Sequence, residues 1–426
     1  MSHSFFFLCP ECFAEDSIVD GRCESCGIPI RWSTRNIFFN ENETTTAEYY
    51  HILQQQLKIA QHSVASPSHL VKKFPLPTDH LLRVSGKALL RQGKKKLRFS
   101  GYHDLYQLTF EIPVKLCEGF LLFYPDFVLF VSKEKYWRWD IEDFTCVTTN
   151  DAYLEFKIRN QPYYQIKFHQ ESPLKYELLF RKWLEDYYAQ EGKQIIEFQP
   201  RIRTRPPVPS RQNWKALDEN SQEKPYLLER WIMGLVAFLL RCVLSVWIRV
   251  TISGKEHWNS DRGGVVLVNH QSALDPFIVG AWLDRKIAFL TKNTSFSHWL
   301  PRVFLKWAMA IPTTRYQNDP HVVRIMRSLL RKGIRVGVFP EAERCWDGSM
   351  QKFKLGLVKV LMVSRQAIYP IVLDGVFTFW PRWRKFPTKS QVTIQILPPF
   401  CLLSEGWSVE EQSQFLEELF LSRLSE

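Results

Sequence analysis

A proline-rich segment at residues 199–209 separates two different hydrophobic patterns in this chain of 426 residues. The segment reads Gln-Pro-Arg-Ile-Arg-Thr-Arg-Pro-Pro-Val-Pro. Proline fixes its own φ angle and lacks a backbone N–H, so repeated prolines with few apolar neighbours neither continue a helix nor join a sheet. We therefore predict an interdomain linker over residues 191–224. The chain is long enough for two or three domains around it.

Before the linker, short runs rich in Val, Phe, Tyr, Leu and Thr recur between residues 81 and 160. Breaks such as Pro-Asp and Asn-Gln-Pro separate them, and strands at this spacing are typical of an antiparallel β barrel or sandwich. A helix is expected next, at Leu174–Tyr188, with Trp183 on its apolar face. Several strands followed by one helix resemble a pleckstrin-homology (PH) domain. We therefore predict a PH-like domain over residues 77–190.

Four cysteines form two C-x-x-C knuckles near the N-terminus: Cys9, Cys12, Cys23 and Cys26. Zinc takes four soft ligands in a tetrahedron, and the two-residue spacing lets each knuckle offer both thiolates to one ion. The alternative, a redox-active C-x-x-C, predicts an adjacent βαβ unit, and the sequence around the knuckles predicts none. We therefore predict a structural zinc ribbon over residues 1–33. A polar connector over residues 34–76, with a candidate helix near Ala47–Gln61, is expected to follow.

The other five cysteines are scattered along the chain, which is the pattern of a reducing compartment rather than of a disulfide framework. Residues Met1–Leu8 have no basic region ahead of their apolar patch, so we do not expect a signal peptide. The formal net charge is +12, which suits anionic lipids, nucleic acid or an acidic substrate without distinguishing them. The basic run Lys94–Arg98, expected as a loop of the PH-like domain, either binds lipid headgroups or is simply solvated.

The most apolar segment of the chain, Tyr226–Val250, is interrupted by Arg241 and so falls short of an unbroken spanning helix. Arg230 and Arg241 share one helical face, which suits a helix that lies in the membrane interface. A buried core helix and a true spanning helix are the alternatives. Phe377–Phe386 interleaves aromatic and basic residues and fits the headgroup boundary, although single-stranded nucleic acid would bind the same mixture.

After the linker, the pattern becomes that of an α/β domain over residues 225–426. Gly263–Val268 reads as a buried strand, and Asn269 and His270 follow at its C-terminal end. Side chains at strand ends of α/β sheets line the functional cleft. Asp275, five residues beyond His270, is placed to accept the Nδ1 proton of the imidazole, so that the other ring nitrogen can deprotonate a hydroxyl. Taken alone, this pair is more often structural.

Three later segments give the pair a context: Ala310–Arg315, Gly333–Arg344 and Ala367–Leu373, the last carrying Pro370. With Asn-His-x4-Asp, these blocks resemble, in order, the PlsC-like glycerophosphate and lysophospholipid acyltransferase family. The resemblance covers roughly residues 225–400. It implies a membrane-associated O-acyltransferase, which we expect at the cytoplasmic face.

The resemblance assigns roles to individual residues. His270 is the implied general base and Asp275 orients it. The implied acceptor-binding residues are Asn269, Arg315, Glu341 and Arg344. Guanidinium groups bind phosphate oxygens in pairs, which suits a lysophospholipid acceptor. The implied donor is an acyl thioester, either acyl-CoA or acyl-carrier protein.

The third block departs from the family pattern, because Ala342 replaces the usual glycine and Glu343 the usual threonine. These changes leave the acceptor open among lysophosphatidic acid, another lysophospholipid and a lipid without phosphate. Ser272 as a nucleophile is a weaker alternative, because the chain has no Gly-x-Ser-x-Gly elbow. A non-catalytic zinc-ribbon membrane adaptor is the rival from another class. A nucleic-acid reader is the third alternative, and we expect no nucleic-acid partner.

Overall fold

The computed structural model describes residues 5–60, 80–150, 152–199, 201–204, 229–258, 263–283, 287–314, 319–402 and 406–424. The chain forms two compact units. The first comprises Met1–Leu97, Thr109–Pro207 and Thr314–Asn318, and the second Arg98–Leu108, Val208–Thr313 and Asp319–Glu426. The domain boundaries expected from the sequence stay predictions.

The first unit begins with the cysteine knuckles and two small antiparallel sheets. Their strands are β1 (Ile18–Val19), β2 (Arg22–Cys23), β3 (Ile30–Trp32), β4 (Asn36–Phe39) and β5 (Asn42–Thr45). Helix α1 (Thr46–Gln56) follows, and Thr45 and Glu48 form a capping box at its N-terminus. Tyr49 in this helix is fully buried and donates its hydroxyl to the carbonyl of Leu8 at 2.6 Å. Residues 34–57 therefore fold onto the N-terminal module, whereas the sequence predicted a connector; residues 61–76 lie outside the described ranges.

The larger part of this unit is one antiparallel sheet. Its strands are β6 (Arg83–Val84), β7 (Ala88–Ser100), β8 (Gln107–Phe123), β9 (Phe127–Ser132), β10 (Tyr136–Asp140), β11 (Phe144–Thr149), β12 (Leu154–Ile158) and β13 (Tyr163–Phe168). The order is β10-β9-β8-β7-β13-β12-β11, with β6 beside β8. Helix α2 (Pro173–Gln190) follows, and its Trp183 is buried and donates Nε1 to the carbonyl of Tyr124 at 2.9 Å. The predicted strands and helix are thus present.

One prediction about this unit was wrong, that of a loop at the basic run. Lys94–Arg98 lies within strand β7 rather than in a loop. The three lysines of this run are all exposed, so they can extend the strand while remaining solvated. Part of the predicted linker also pairs with β11, because Val147 N–H donates to the Phe198 carbonyl and Ile202 N–H to the Thr145 carbonyl. Residues 205–224 of the linker lie outside the described ranges.

A buried ionic network joins the cysteine module to the sheet and to α2. Arg83, almost fully buried, makes two hydrogen bonds to the carboxylate of Glu15, at 2.6 and 2.8 Å. Lys175, equally buried, contacts Glu15 at 3.1 Å, Glu171 at 3.2 Å and also Asp16. Buried cations of this kind depend on their partners, since an uncompensated charge in the interior is costly.

The second unit is built on a seven-stranded mixed sheet. Its strands are β14 (Ile248–Ser253), β15 (Val265–Val268), β16 (Ile287–Lys292), β17 (Ile311–Thr313), β18 (Arg335–Val338), β19 (Ile368–Asp374) and β20 (Ser390–Ile396). The order is β14-β20-β19-β15-β18-β16-β17. The five strands from β19 to β17 are mutually parallel, and β20 pairs with β19 in the antiparallel sense. Because β15 lies between β19 and β18, the residues that follow these three strands meet at one edge.

The described helices of this unit are α3 (Glu229–Ser245), α4 (Asp275–Trp282), α5 (Trp299–Trp307), α6 (Pro320–Arg331), α7 (Leu355–Ser364), α8 (Val376–Phe379) and α9 (Val409–Leu421). Within the apolar segment Tyr226–Val250, the described residues from Glu229 onward form α3 and then the first residues of strand β14. Arg241 of α3 donates Nε to the carbonyl of Ala281 in α4, so it faces the protein, while Phe238 and Val243 are exposed. Among the described residues, no helix is both long enough and apolar enough to cross a bilayer.

Candidate active site

His270 lies directly beyond strand β15, where the apolar run Val265–Val268 ends. Asn269, the residue between them, is buried and pairs with the backbone of Leu373 on the adjacent strand β19. Its Nδ2 donates to the Leu373 carbonyl at 2.8 Å, and its Oδ1 accepts from the Leu373 N–H at 2.7 Å. These bonds fix the strand end that carries His270. The substrate contact that the family resemblance implies for Asn269 stays a prediction.

His270 and Asp275 form a hydrogen-bonded pair at the N-terminus of α4. Nδ1 of His270 lies 2.8 Å from Oδ2 of Asp275, which also accepts the backbone N–H groups of Gln271 and Ser272 at 2.7 and 2.8 Å. The Asp275 side chain is fully buried, and that of His270 is 12% exposed. Burial raises the pKa of Asp275 to about 8, although the two backbone N–H groups and the charge of Arg344 oppose this shift. The carboxylate therefore fixes both the ring and the loop that carries it.

Glu341, two residues beyond Phe339 at the end of the neighbouring strand β18, binds the backbone on both sides of the site. Its Oε1 accepts the N–H of His270 at 2.6 Å, and its Oε2 accepts the N–H of Gln351 at 2.8 Å. Burial raises the pKa of this carboxyl to about 8. The structure thus brings Glu341 to His270 and engages both of its oxygens with backbone groups; the acceptor contact that the resemblance implies for it stays a prediction.

The imidazole of His270 stacks on the ring of Phe339, with centroids 4.0 Å apart and an interplanar angle of 17°. Phe339 in turn stacks on Phe289 of strand β16, at 5.4 Å. Stacking restricts the ring to one plane, and the Asp275 hydrogen bond fixes its rotation within that plane. The arrangement presents Nε2 as the ring nitrogen for proton transfer.

The remaining predicted residues lie in or near the turn after β18. Ala342, at the position of the family glycine, adopts the left-handed conformation with φ of 62°. Glu343 is buried and Arg344 is half-buried. Arg344 acts on the dyad through its charge, which favours the ionised form of Asp275. Arg315 lies outside the described ranges.

Ser272 does not contact the imidazole in the manner of a nucleophile. Its hydroxyl donates to the carbonyl of Trp380 at 2.9 Å. The neighbouring Gln271 accepts the N–H groups of Val376 and Phe377 at the start of α8, at 3.1 and 3.2 Å. Both side chains therefore attach the His270 loop to the segment after β19.

The aromatic and basic segment 377–386 supports this same region, so its predicted role at the headgroup boundary was wrong for most of its residues. Arg382 is buried, stacks over Trp346 with its guanidinium carbon 3.8 Å from the ring centroid, and donates to the carbonyl of Arg344 at 2.9 Å. Trp383 is also buried and donates Nε1 to the carbonyl of Trp346. Within segment 377–386, the only strongly exposed ring is that of Phe386, at the end of the segment.

One cation at this edge was missed by the sequence analysis. Lys292 is the last residue of strand β16, which is separated from β15 only by β18. Its ammonium nitrogen is buried. The signal was a lysine at the end of the apolar run Ile287–Leu290, which places a cation at the same edge as His270.

The cysteine cluster of the first unit fits a tetrahedral metal. The four sulfur atoms all lie within 4.8 Å of one another. Sγ of Cys9 is 3.7 Å from that of Cys26, and Sγ of Cys12 is 3.7 Å from that of Cys23. Zn–S bonds of about 2.3 Å in a tetrahedron separate the sulfurs by about 3.8 Å. The four cysteines could therefore hold a zinc ion without rearrangement.

Comparison with known proteins finds relatives for part of the second unit. Residues 249–374 match the model of the Acyltransferase family. The chain is similar to the human 1-acyl-sn-glycerol-3-phosphate acyltransferase alpha, with 28% identity over 157 residues, which are 36% of this chain and 55% of that protein. It is also similar to the 1-acyl-sn-glycerol-3-phosphate acyltransferase of Limnanthes alba, with 25% identity over 185 residues, 41% of this chain and 63% of that protein.

A solved structure is similar as well, the 1-acyl-sn-glycerophosphate acyltransferase PlsC from Thermotoga maritima. The TM-score is 0.39 and the identity 20%, over 46% of this chain and 79% of that one. The chain spans 55–63% of the length of the two relatives named above.

The parallel strands, the His270–Asp275 pair at a strand end and the family match together define an acyltransferase domain. The chain thus contains an Acyltransferase-family domain, which lies in its C-terminal half at residues 249–374.

Proposed function

We propose that the protein is an O-acyltransferase that moves a fatty acyl group from a thioester to the hydroxyl of a lysophospholipid, in phospholipid biosynthesis. The observation that carries the proposal is the 2.8 Å hydrogen bond between His270 Nδ1 and the buried Asp275. A buried carboxylate stabilises the imidazolium that forms when the histidine takes a proton. A non-catalytic adaptor would have no chemical need for this pair.

In the proposed reaction, Nε2 of His270 removes the proton of the acceptor hydroxyl as its oxygen attacks the thioester carbonyl carbon. A C–O bond forms, and the C–S bond breaks when the tetrahedral intermediate collapses. The thiolate leaves and takes the proton from the imidazolium, so that no acyl-enzyme is needed. Ser272 is not a candidate nucleophile in this scheme because its hydroxyl donates to Trp380.

The proposed acceptor is 1-acyl-glycerol-3-phosphate, the substrate in the names of the two acyltransferases described above. A phosphate group suits the cations expected at this edge, Arg344 and Arg315, together with Lys292. The proposed donor is acyl-CoA or acyl-carrier protein. Buried Glu343 favours the alternative, a lysolipid acceptor without phosphate, because it adds a carboxyl group next to Arg344.

We propose that the enzyme acts at a membrane surface, on the cytoplasmic face, with α3 as the interfacial helix. The support is the exposed apolar side of this helix, with Leu235, Phe238 and Val243 each more than half exposed. Arg241 faces the protein on this helix, because its side chain donates to the carbonyl of Ala281. The helix therefore meets the lipid through its apolar side.

For the first unit we propose a structural zinc ribbon, held by Cys9, Cys12, Cys23 and Cys26, and a PH-like domain. The zinc proposal rests on the sulfur separations described above. The PH-like proposal rests on seven successive antiparallel strands, β7 to β13, followed by helix α2. Zinc would hold the fold of the N-terminal module and take no part in acyl transfer.

The direct test is acyl transfer from a radiolabelled acyl thioester to a panel of lysolipids, with and without phosphate. His270→Ala is expected to lower kcat at least about 1,000-fold, because general-base catalysis and the oriented pair are lost together. Asp275→Asn is expected to lower kcat with the same acceptor preference. Activity of His270→Ala at the wild-type rate would refute the proposed reaction, whereas a change of preferred acceptor would revise only the substrate.

A further inference from the structure

Helix α5 (Trp299–Trp307) exposes apolar side chains to an unusual degree. Trp299 is 69% exposed, Leu300 62% and Val303 63%. These residues recur at positions i, i+1 and i+4, so they lie on one side of the helix. No residue of α5 is buried. An apolar helix side of this size on a protein surface marks an interaction site.

The helix lies beside the element that carries the catalytic aspartate. The ring of Phe304 in α5 is 5.6 Å from that of Phe277 in α4, and Phe277 is two residues from Asp275. On α4, Ala281 accepts the Arg241 hydrogen bond of α3. Helix α4 thus contacts both α3 and α5, and each of these helices exposes several large apolar side chains.

The charge around these helices favours an anionic surface as the partner. No aspartate or glutamate occurs between Asp284 and Asp319, a stretch that contains α5 and six lysine and arginine residues. Between Glu229 and Glu256, a stretch that contains the rest of α3, there is likewise no aspartate or glutamate. A second copy of the chain is a poor fit, because a symmetric contact through this surface would bring like charges together. An anionic bilayer satisfies both the apolar side chains and the cations.

We propose that α5 is a second membrane-inserting element, and that Trp299, Leu300 and Val303 enter the acyl boundary of an anionic bilayer. With α3 also at the interface, helix α4 and the His270–Asp275 pair stand beside the lipid surface. A lysolipid could then reach the site without crossing bulk water. The proposed insertion is independent of the acyl-transfer chemistry and can fail while that chemistry stands.

The test is binding of the full chain to vesicles of phosphatidylcholine with and without phosphatidylglycerol, measured by flotation. The triple variant Trp299→Ser, Leu300→Ser, Val303→Ser is expected to bind anionic vesicles about 100-fold more weakly, since it removes three large apolar side chains from the contact. Val303→Asp alone, which leaves the exposed helix folded in water, is expected to weaken binding at least about 10-fold. The control Tyr136→Ser with Leu421→Ser removes exposed apolar side chains elsewhere and is expected to bind like wild type.

Activity on a short-chain, water-soluble lysolipid separates this proposal from the proposed function. The triple variant is expected to retain the wild-type rate on that acceptor, because none of its residues contacts the dyad. Wild-type binding of the triple variant to anionic vesicles overturns the insertion of α5, whatever the activity. Light scattering tests whether α5 instead contacts a second copy of the chain. If the wild type is a dimer, and the triple variant is a monomer that binds vesicles as well as the wild type does, the proposed insertion of α5 is overturned.

Discussion

The backbone N–H of His270 donates to Oε1 of Glu341 at 2.6 Å, and the other oxygen of Glu341 accepts the N–H of Gln351 at 2.8 Å. One carboxyl thus connects the ends of two adjacent parallel strands to the loop that precedes helix α7. In the family resemblance, this glutamate belongs to the acceptor site. Its geometry here indicates that it positions the proposed base.

We expect Glu341→Gln to lower kcat about 10- to 100-fold with little change in the KM for the acceptor. Glutamine has one acceptor oxygen and cannot receive both N–H groups, so His270 loses part of its fixed position. The measurement is steady-state kinetics with varied lysolipid. Glu343→Gln is the matched control, because it neutralises a buried carboxyl two residues away and keeps the His270 bond. A rise in KM at constant kcat would assign Glu341 to acceptor binding instead.

The pH dependence of the reaction is expected to report on Asp275. Burial raises the pKa of this carboxyl to about 8, so below that pH it is neutral and stabilises the imidazolium poorly. The rate constant kcat/KM should therefore rise as the pH increases through about 8 and then level off. The measurement is initial rates from about pH 6 to about pH 9.5, corrected for thioester hydrolysis.

Two variants identify the group that titrates. Asp275→Asn should remove the inflection near pH 8, while Glu341→Gln should keep it, although the pKa of Glu341 is also raised to about 8. An unchanged inflection in Asp275→Asn would show that another group controls the rate. A single inflection near pH 6.5 in the wild type would indicate an ordinary imidazole.

The strand ends of the site were predictable because parallel buried strands have a simple signature. Val265–Val268 is a continuous apolar run, and the polar residues directly after it are Asn269 and His270. Glu341, after β18, was identified by the family resemblance instead. Local spacing then paired His270 with Asp275, since five residues bridge a strand end and the first turn of the next helix.

The contacts that fix the site were not predictable, because they join residues far apart in the sequence. Asn269 pairs with Leu373, which is 104 residues away. The composition of 377–386 suits both lipid and protein surroundings, and only the packing of Arg382 on Trp346 decides between them. The strand conformation of Lys94–Arg98 likewise depends on pairing with a neighbouring strand, which a local charge run does not reveal.

A single substitution at Ala342 is expected to stabilise the protein. Its φ of 62° lies in the left-handed region, which costs an L-residue roughly 1–2 kcal/mol relative to glycine. Glycine restores the family residue but makes the unfolded chain more flexible. We expect Ala342→Gly to raise the free energy of unfolding by about 1 kcal/mol, measured by urea denaturation. Ala281→Gly, in helix α4, should lower the free energy of unfolding instead. If both substitutions lower it by the same amount, Ala342 is not strained.

Zinc removal is expected to destabilise the sheet of the first unit as well as the cysteine module. Glu15 and Asp16 lie between the two knuckles and are the carboxylate partners of buried Arg83 and Lys175. Without the metal, the loop that carries them loses its anchor. The cations then remain buried and poorly compensated, at a cost of about 3 kcal/mol. Cys23→Ser should therefore abolish bound zinc and lower the Tm, whereas Cys401→Ser should change neither.

A double-mutant cycle tests this coupling directly. Arg83→Met in the wild type removes the bidentate contact with Glu15 and should lower the free energy of unfolding. If zinc holds Glu15 in place, the same substitution in the Cys23→Ser background should cost at least about 1 kcal/mol less, because the contact is already lost. Additive effects of the two substitutions would mean that Glu15 keeps its position without the metal, and that the zinc ribbon and the sheet are stable independently of one another.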